Sequence, residues 1–311
     1  MKTSNTPEIS IIIATFNGEK FVSEQIESIV KNDNFSELVK EIIISDDGST
    51  DSTIDIIKKY QRIYNIISFI ENSSGEHGVV NNFSRGITVS SGNYIMLCDQ
   101  DDVWLSSKIK ISYRKIKELE SQNGNKPTIV FSDLIIVDEK LNVKYKSFFD
   151  FNKISINEST KLNSLLLNNV APGCTCILNK SLIKASFPIP NNVIMHDWWF
   201  MLVAASIGEV FAIKEPLILY RQHESNVIGA KKINIFNKIL NIKENSKYYS
   251  FIKKQKIEQA KNIISYNFGR EYKINIEIRE LIYSFEKNIF YPVSRERTLS
   301  RKILSILAVF F

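Results

Sequence analysis

The residues best suited to chemistry fall in four short clusters. Asp99-Gln100-Asp101-Asp102 places carboxylates side by side. Adjacent carboxylates repel one another, and a cation offsets that repulsion. Hard oxygen ligands select Mg²⁺ or Mn²⁺ and leave coordination positions for phosphate oxygens. The plain alternative is a solvated acidic turn with Asp102 capping the next helix. Asp46-Asp47-Gly48-Ser49-Thr50-Asp51 offers a carboxylate to a pyrimidine N3–H or a ribose hydroxyl, and Gly48 permits a tight turn. The same residues also read as an ordinary turn with Ser49 or Asp51 capping a helix. His196-Asp197-Trp198-Trp199 sets an aspartate at a helix start, where it can serve as general base beside a cleft. The two indoles suit stacking on sugar rings; otherwise they are core and Asp197 is a cap. Tyr220-Arg221-Gln222-His223 supplies a guanidinium for phosphate and an imidazole for phosphate or metal, or else a salt-bridged loop. Arg85, on the helix after Gly78, is within reach of a nucleotide phosphate, and His77 reads as surface.

These clusters must be held by regular elements. Residues 9–14, 41–45, 66–71 and 94–98 are apolar, β-branched runs that predict buried strands. Helical spacing over 21–30, 54–60 and 79–90 separates them. The alternation predicts a doubly wound, parallel α/β sheet. Ligands bind such sheets outside the carboxyl ends of the strands. Residues 15–19, 46–51 and 99–102 all lie there. Further on, a helix is expected over 108–121, a strand over 128–137 and a hairpin reaching 151. A short helix follows over 159–167, then a strand over 173–178, helices over 180–187 and 197–207, and a strand over 210–219. Beyond 225 the pattern becomes basic and helical.

The net charge of +6 is unevenly placed. Residues 224–311 hold 17 Lys/Arg against 8 Glu and no Asp, a net +9, so the preceding 223 carry −3. The asymmetry suggests separate jobs for the two parts. Cys98, Cys174 and Cys176 are an odd set without CxxC, which fits a reducing compartment, and the latter two read as buried small hydrophobes. Residues 1–8 are polar and lack a signal-peptide core, and no run approaches the roughly 18 apolar residues of a membrane span. Without GxxxxGK[ST], GxGxxG or GxSxG, neither a P-loop enzyme, a dinucleotide enzyme nor an α/β-hydrolase is expected. The basic residues lack aromatic RNA-binding signatures, so no nucleic-acid partner is expected.

In order, IIIATFNGEKFVSEQIESI, IIISDDGSTDST, GNYIMLCDQDDVW, GCTCILNKSL, MHDWW and LYRQHESNVIG resemble family 2 glycosyltransferases of the GT-A fold. DQDDVW, HDWW and YRQH…NVIG look most like the rhamnosyltransferase branch of bacterial surface polysaccharide synthesis. The resemblance implies a GT-A catalytic domain over 1–229, with a basic helical region over 230–311. It implies a nucleotide-diphospho-sugar donor, dTDP-L-rhamnose before a UDP-hexose, and a lipid-linked saccharide acceptor. Thr15, Asn17, Glu19, Asp46, Asp47, Arg85, Asp99 and Arg221 would lie at the nucleotide sugar. Asp101 and His223 would hold Mn²⁺ or Mg²⁺, Asp197 would be the base, and Trp198 and Trp199 would meet the acceptor. The QxxRW motif common in processive synthases is absent, which favours one sugar per event. A non-catalytic nucleotide-sugar-binding module is the competing expectation.

Acceptors in such pathways sit at a membrane, so the expected location is the cytoplasmic face of the bacterial plasma membrane. Each Lys or Arg near an anionic surface contributes about 1 kcal/mol. Residues 294–311 join basic residues to an apolar end, as an interfacial anchor does. Packing on the catalytic domain, or a homodimer through the apolar tail, is the alternative. Deleting residues 295–311 should move the protein from the membrane to the soluble fraction; an unchanged distribution contradicts the anchor.

Overall fold

Isoleucine-rich strands make the centre of the molecule. The computed structural model describes residues 6–223, 242–266, 268 and 280. In chain order the first half runs β1 (Ile9–Thr15), α1 (Val22–Val30), α2 (Phe35–Leu38), β2 (Val39–Asp46), α3 (Thr53–Ile63), β3 (Ile67–Glu71), α4 (Val79–Val89), β4 (Tyr94–Asp99), β5 (Val103–Trp104) and α5 (Lys108–Asn123). There follow β6 (Thr128–Asp138), β7 (Val143–Tyr145), α6 (Phe148–Phe151), α7 (Ile156–Ser159), α8 (Leu162–Leu165), a 3₁₀ turn (Gly173–Thr175), β8 (Cys176–Asn179), α9 (Lys180–Ser186), α10 (His196–Ile207), β9 (Glu209–Gln222) and α11 (Ile242–Ser265).

The sheet order is β3-β2-β1-β4-β8-β6-β9-β5, with β7 paired to β6. Strands β3, β2, β1 and β4 are parallel, as expected. Side chains alternate across the sheet with the period of two. Ile12, Ile43, Ile95 and Leu97 pack with Phe83 and Ile87 of α4 and with α9 and α10. Ile11, Ile13, Ile42, Ile44 and Met96 pack with α1, α3 and α5 on the other face. Helices therefore cover both faces of the parallel strands, and polar clusters follow the strand ends.

Some elements differ from expectation. Residues 173–175 curl into a 3₁₀ turn instead of starting a strand, because Thr175 donates both its N–H (3.0 Å) and its hydroxyl (2.7 Å) to the Pro172 carbonyl. Strand β8 then runs antiparallel between β4 and β6. The helix expected over 159–167 appears as two single turns, α7 and α8. The hairpin is present as β6–β7, with Ile136 opposite Tyr145.

Helix α11 packs on the α/β core at its described C-terminal half. Gln259 Oε1 accepts the Ile194 N–H at 2.8 Å, Ala260 and Ile263 are buried, and the Tyr266 ring lies edge-on to Trp199 at 5.0 Å. The expected boundary at 229 and the apolar end at 294–311 lie outside the described residues. Among the described residues no helix is long and apolar enough to cross a membrane.

Trp199 joins these layers: it is 0% exposed and its indole N–H donates to the Ser186 carbonyl at 3.0 Å. Trp199→Ala should destabilise by about 3–5 kcal/mol. Ile63→Ala, at a side chain 58% exposed, should change stability by less than about 0.5 kcal/mol. Chemical denaturation midpoints check both.

Candidate active site

Register brings the polar clusters to one edge. Thr15 pairs with Asp46, Ala14 with Asp99, and Asp46 with Glu71. The loops after β1 and β2 are then laced together. Asp46 is wholly buried, and each of its oxygens takes two donors: Gly48 and Ser49 N–H on Oδ1 (3.0 and 2.7 Å), Thr15 and Ser49 hydroxyls on Oδ2 (2.7 and 2.6 Å). Gly48 has φ +91°, a left-handed conformation that glycine adopts without a Cβ penalty. Asn17, at φ 48°, accepts the Thr50 N–H at 2.9 Å, and Glu19 accepts the Ser52 N–H at 2.9 Å. Asp46, expected near the base, thus also organises the turn that begins after β2.

Asp47 and Arg85 are likewise committed to each other. Arg85 donates to Asp47 Oδ1 at 2.7 Å and to the Glu76 carbonyl at 2.9 Å, while the Gly78 N–H donates to Asp47 Oδ2 at 2.7 Å. His77, exposed as expected, sits against the Asp47 carbonyl at 3.1 Å. Arg85, expected to reach a phosphate, forms a nearly buried ion pair with Asp47 that ties α4 to the β2 loop. Sequence reasoning missed Phe16 and Gln100. The Gln100 amide both accepts from the Phe16 N–H (2.9 Å) and donates to the Phe16 carbonyl (3.0 Å), holding a ring that is 53% exposed at the end of β1. An aromatic directly after a buried strand, inside a polar loop, was the signal available.

The acidic cluster is packed against β8 and β9. Asp101 Oδ2 lies 2.7 Å from His223 Nε2, bringing together the two residues expected to hold a metal. Burial, then Asp101 and then Asp197, push the half-buried Asp99 up to about 7. Burial, then Asp101 and Asp99, raise Asp102 well above the usual carboxylate range, and its Oδ2 has no hydrogen-bond partner. Ligand atoms of Asp99, Asp102 and Cys174 lie within 4.8 Å of one another. Cys174 is buried as expected, with its Sγ beside both carboxylates. Crowded carboxylates held in a dry pocket match the donor set of a hard divalent cation. Lys108, wholly buried, rests 4.7 Å from the Trp104 ring, and burial lowers it to about 8.

Arg221 is 2% exposed and its guanidinium is engaged on every side. It donates through Nε to the Asp101 carbonyl at 2.8 Å and through its terminal nitrogens to the Glu139 carbonyl and to Glu24, over the Phe21 ring at 4.6 Å. Its backbone N–H donates to Asp102 at 3.0 Å. Arg221, expected at the diphosphate, thus fastens the 99–102 loop.

Asp197 opens α10 and is 4% exposed. Burial pushes its carboxyl up to about 6 against hydrogen bonds from Trp198 N–H, Asn169 and Gly173 that lower it. The 3₁₀ turn closes on it: a Cβ at Gly173 would lie 3.0 Å from His196 Nε2 and 3.3 Å from Asp197 Cβ. His196 stacks on Phe83 at 4.2 Å, and burial holds it down to about 3. Trp198 is 6% exposed with its N–H on the Leu165 carbonyl at 2.6 Å. Of the two tryptophans expected to meet the acceptor, Trp199 is wholly buried and Trp198 nearly so. The described residues thus gather Asp99, Asp102 and Cys174 within ligand distance of one another, with the buried Asp197 close enough for Asp99 to feel its charge.

The model of glycosyl transferase family 2 matches residues 10–186. The dTDP-rhamnosyl transferase RfbG of Shigella flexneri is 31% identical over 230 residues, which span 70% of this chain and 74% of that one. Staphylococcus aureus TarS 1-349, solved in complex with UDP-GlcNAc, superposes with TM-score 0.60 at 16% identity, over 97% of this chain and 79% of that one. The mannosyltransferase PcManGT of Pyrobaculum calidifontis, solved with GDP-Man and Mn²⁺, gives TM-score 0.57 at 11% identity, over 98% and 80%. With the GT-A fold and a matched segment that includes the strand ends carrying its acidic clusters, the chain belongs to glycosyl transferase family 2.

Proposed function

We propose that this glycosyltransferase moves one sugar per event, L-rhamnose from dTDP-L-rhamnose, onto a lipid-linked saccharide at the inner face of a bacterial plasma membrane, with inversion at the anomeric carbon. The observation that carries the reaction is the buried Asp197 carboxylate. It lies near Asp99, which feels its charge from the end of β4. The identity with a protein named a dTDP-rhamnosyl transferase, across 70% of this chain, supports the donor. The UDP-GlcNAc and GDP-Man complexes of the structural neighbours make other nucleotide sugars the second reading. The division into a catalytic part to 229 and a basic, membrane-facing part beyond it belongs to the same proposal.

Asp197 takes the proton of the acceptor hydroxyl as that oxygen attacks the anomeric carbon, and a β-linked donor then gives an α-linked product. Asp101 and His223 would hold Mn²⁺ or Mg²⁺, which would supply positive charge for the departing nucleoside diphosphate. Arg221 keeps the loop in place through the Asp101 carbonyl. Phe16, with its backbone fixed by Gln100, offers a face for the base, and Asn17 and Glu19 brace the loop beneath it.

Asp197→Asn should cut transfer by about 100- to 10,000-fold and leave nucleoside diphosphate affinity unchanged. Near-normal turnover in that variant would refute the base assignment. A base must be ionised to accept a proton, so the rate should be level above pH 6 and fall as pH drops through about 6, the value to which burial raises Asp197. EDTA should abolish transfer and Mn²⁺ or Mg²⁺ restore it. Thermal stabilisation by dTDP-rhamnose beyond UDP- and GDP-sugars checks the donor.

A further inference from the structure

A carboxylate has two oxygens, and a general base works through one. Asp197 Oδ1 accepts the Trp198 N–H at 2.6 Å and the Asn169 amide at 3.0 Å. The first donor is local to the helix start. The second comes from the segment between α8 and the 3₁₀ turn, 28 residues upstream. Asn169 also has its orientation set, because its Oδ1 faces the Ala171 N–H at 3.4 Å and only the NH₂ end can donate to a carboxylate. On the other side, Gly173 has no side chain to cover Oδ2; a Cβ there would lie 3.6 Å from it.

We propose that Asn169 is the positioning residue that occupies Oδ1 of Asp197 and so leaves Oδ2 to receive the acceptor proton. This rests on the reading of Asp197 as the base. The titratable groups facing Asp197 are Asp99 on β4, Cys176 on β8 and its neighbour His196. Burial pushes Cys176 up to about 12 and His196 down to about 3, so both are neutral near pH 7. Among the described residues no cation forms an ion pair with Asp197. Neutral donors must therefore stabilise its charge, and Asn169 is the one side chain that does so. The amide adds a side-chain donor to the backbone N–H groups of Trp198 and Gly173 and so helps to fix the carboxylate plane.

The test uses the full chain and two variants. Asn169→Ala removes the donor, and Asn169→Asp keeps the shape while replacing the donor by an acceptor. The side-chain carboxyl of Asp197 is titrated by ¹³C NMR, assigned by its loss in Asp197→Asn. In parallel, nucleoside diphosphate release is measured with dTDP-rhamnose, UDP-GlcNAc and GDP-mannose. A hydrogen bond to a charged group should hold the titration down by about one to two pH units, so Asn169→Ala should raise it by that much and Asn169→Asp further. With any donor that turns over, kcat should fall about 10- to 100-fold at unchanged KM. Wild-type titration in both variants overturns the proposal, whether or not a donor turns over. If instead Asp197→Asn keeps its turnover, the base reading fails, whereas an inactive Asp197→Asn with wild-type kcat in Asn169→Ala removes Asn169 alone.

Discussion

Carboxylates brought together away from water are the constraint on which this site depends. Asp99, Asp101 and Asp102 come from one strand end, and Asp197 enters from the start of α10. Asp99, Asp102 and Asp197 are more costly to ionise, chiefly because they are buried away from solvent. The fold answers with contacts that belong to no single motif. The Arg221 backbone N–H donates to Asp102, and His223 pairs with Asp101 at 2.7 Å. Asp102 nonetheless keeps a buried oxygen without a partner. A divalent cation with hard-ligand preference would offset the excess charge, which links the packing of the sheet edge to the chemistry proposed for it.

The other half of the edge is held in the opposite way, by satisfied groups. Asp46 uses both oxygens on the turn it begins, and Asp47 is neutralised by Arg85. These bonds make a rigid platform on which Phe16 is exposed, its peptide groups held by Gln100. Gln100 stands within the acidic cluster, so one loop serves both halves: its carboxylates would face the proposed cation and its amide holds the Phe16 peptide groups. Both halves are brought together by the same four parallel strands ending in register.

The sequence made the strands and the edge legible because both depend on local composition. The isoleucine runs of β1 and β2 could bury two faces only in a covered sheet, and the acidic turns followed them directly. The clusters therefore met where the topology required. The commitments of individual side chains were less legible. Arg221 meets Glu24 across 197 residues and Asp102 across 119, and no spacing rule spans such distances. Trp199 reads equally as a sugar platform or as core until α11 and Tyr266 are seen against it. The curl at 173–175 was hidden because Cys174 and Cys176 look like strand residues, while a hydroxyl-to-carbonyl bond at Thr175 decides the conformation. Asn169 carried no signal at all, since an asparagine in a polar loop is ordinary until its partner is known.

The central claim is that the crowded carboxylates at the end of β4 form a cation site. Calorimetric titration of Mn²⁺ into the full chain at neutral pH, with nucleoside diphosphate present, tests it most directly. The account predicts one bound ion per chain and its loss in Asp101→Asn. Undiminished Mn²⁺ binding by Asp101→Asn, or no binding by the unaltered chain, would contradict it.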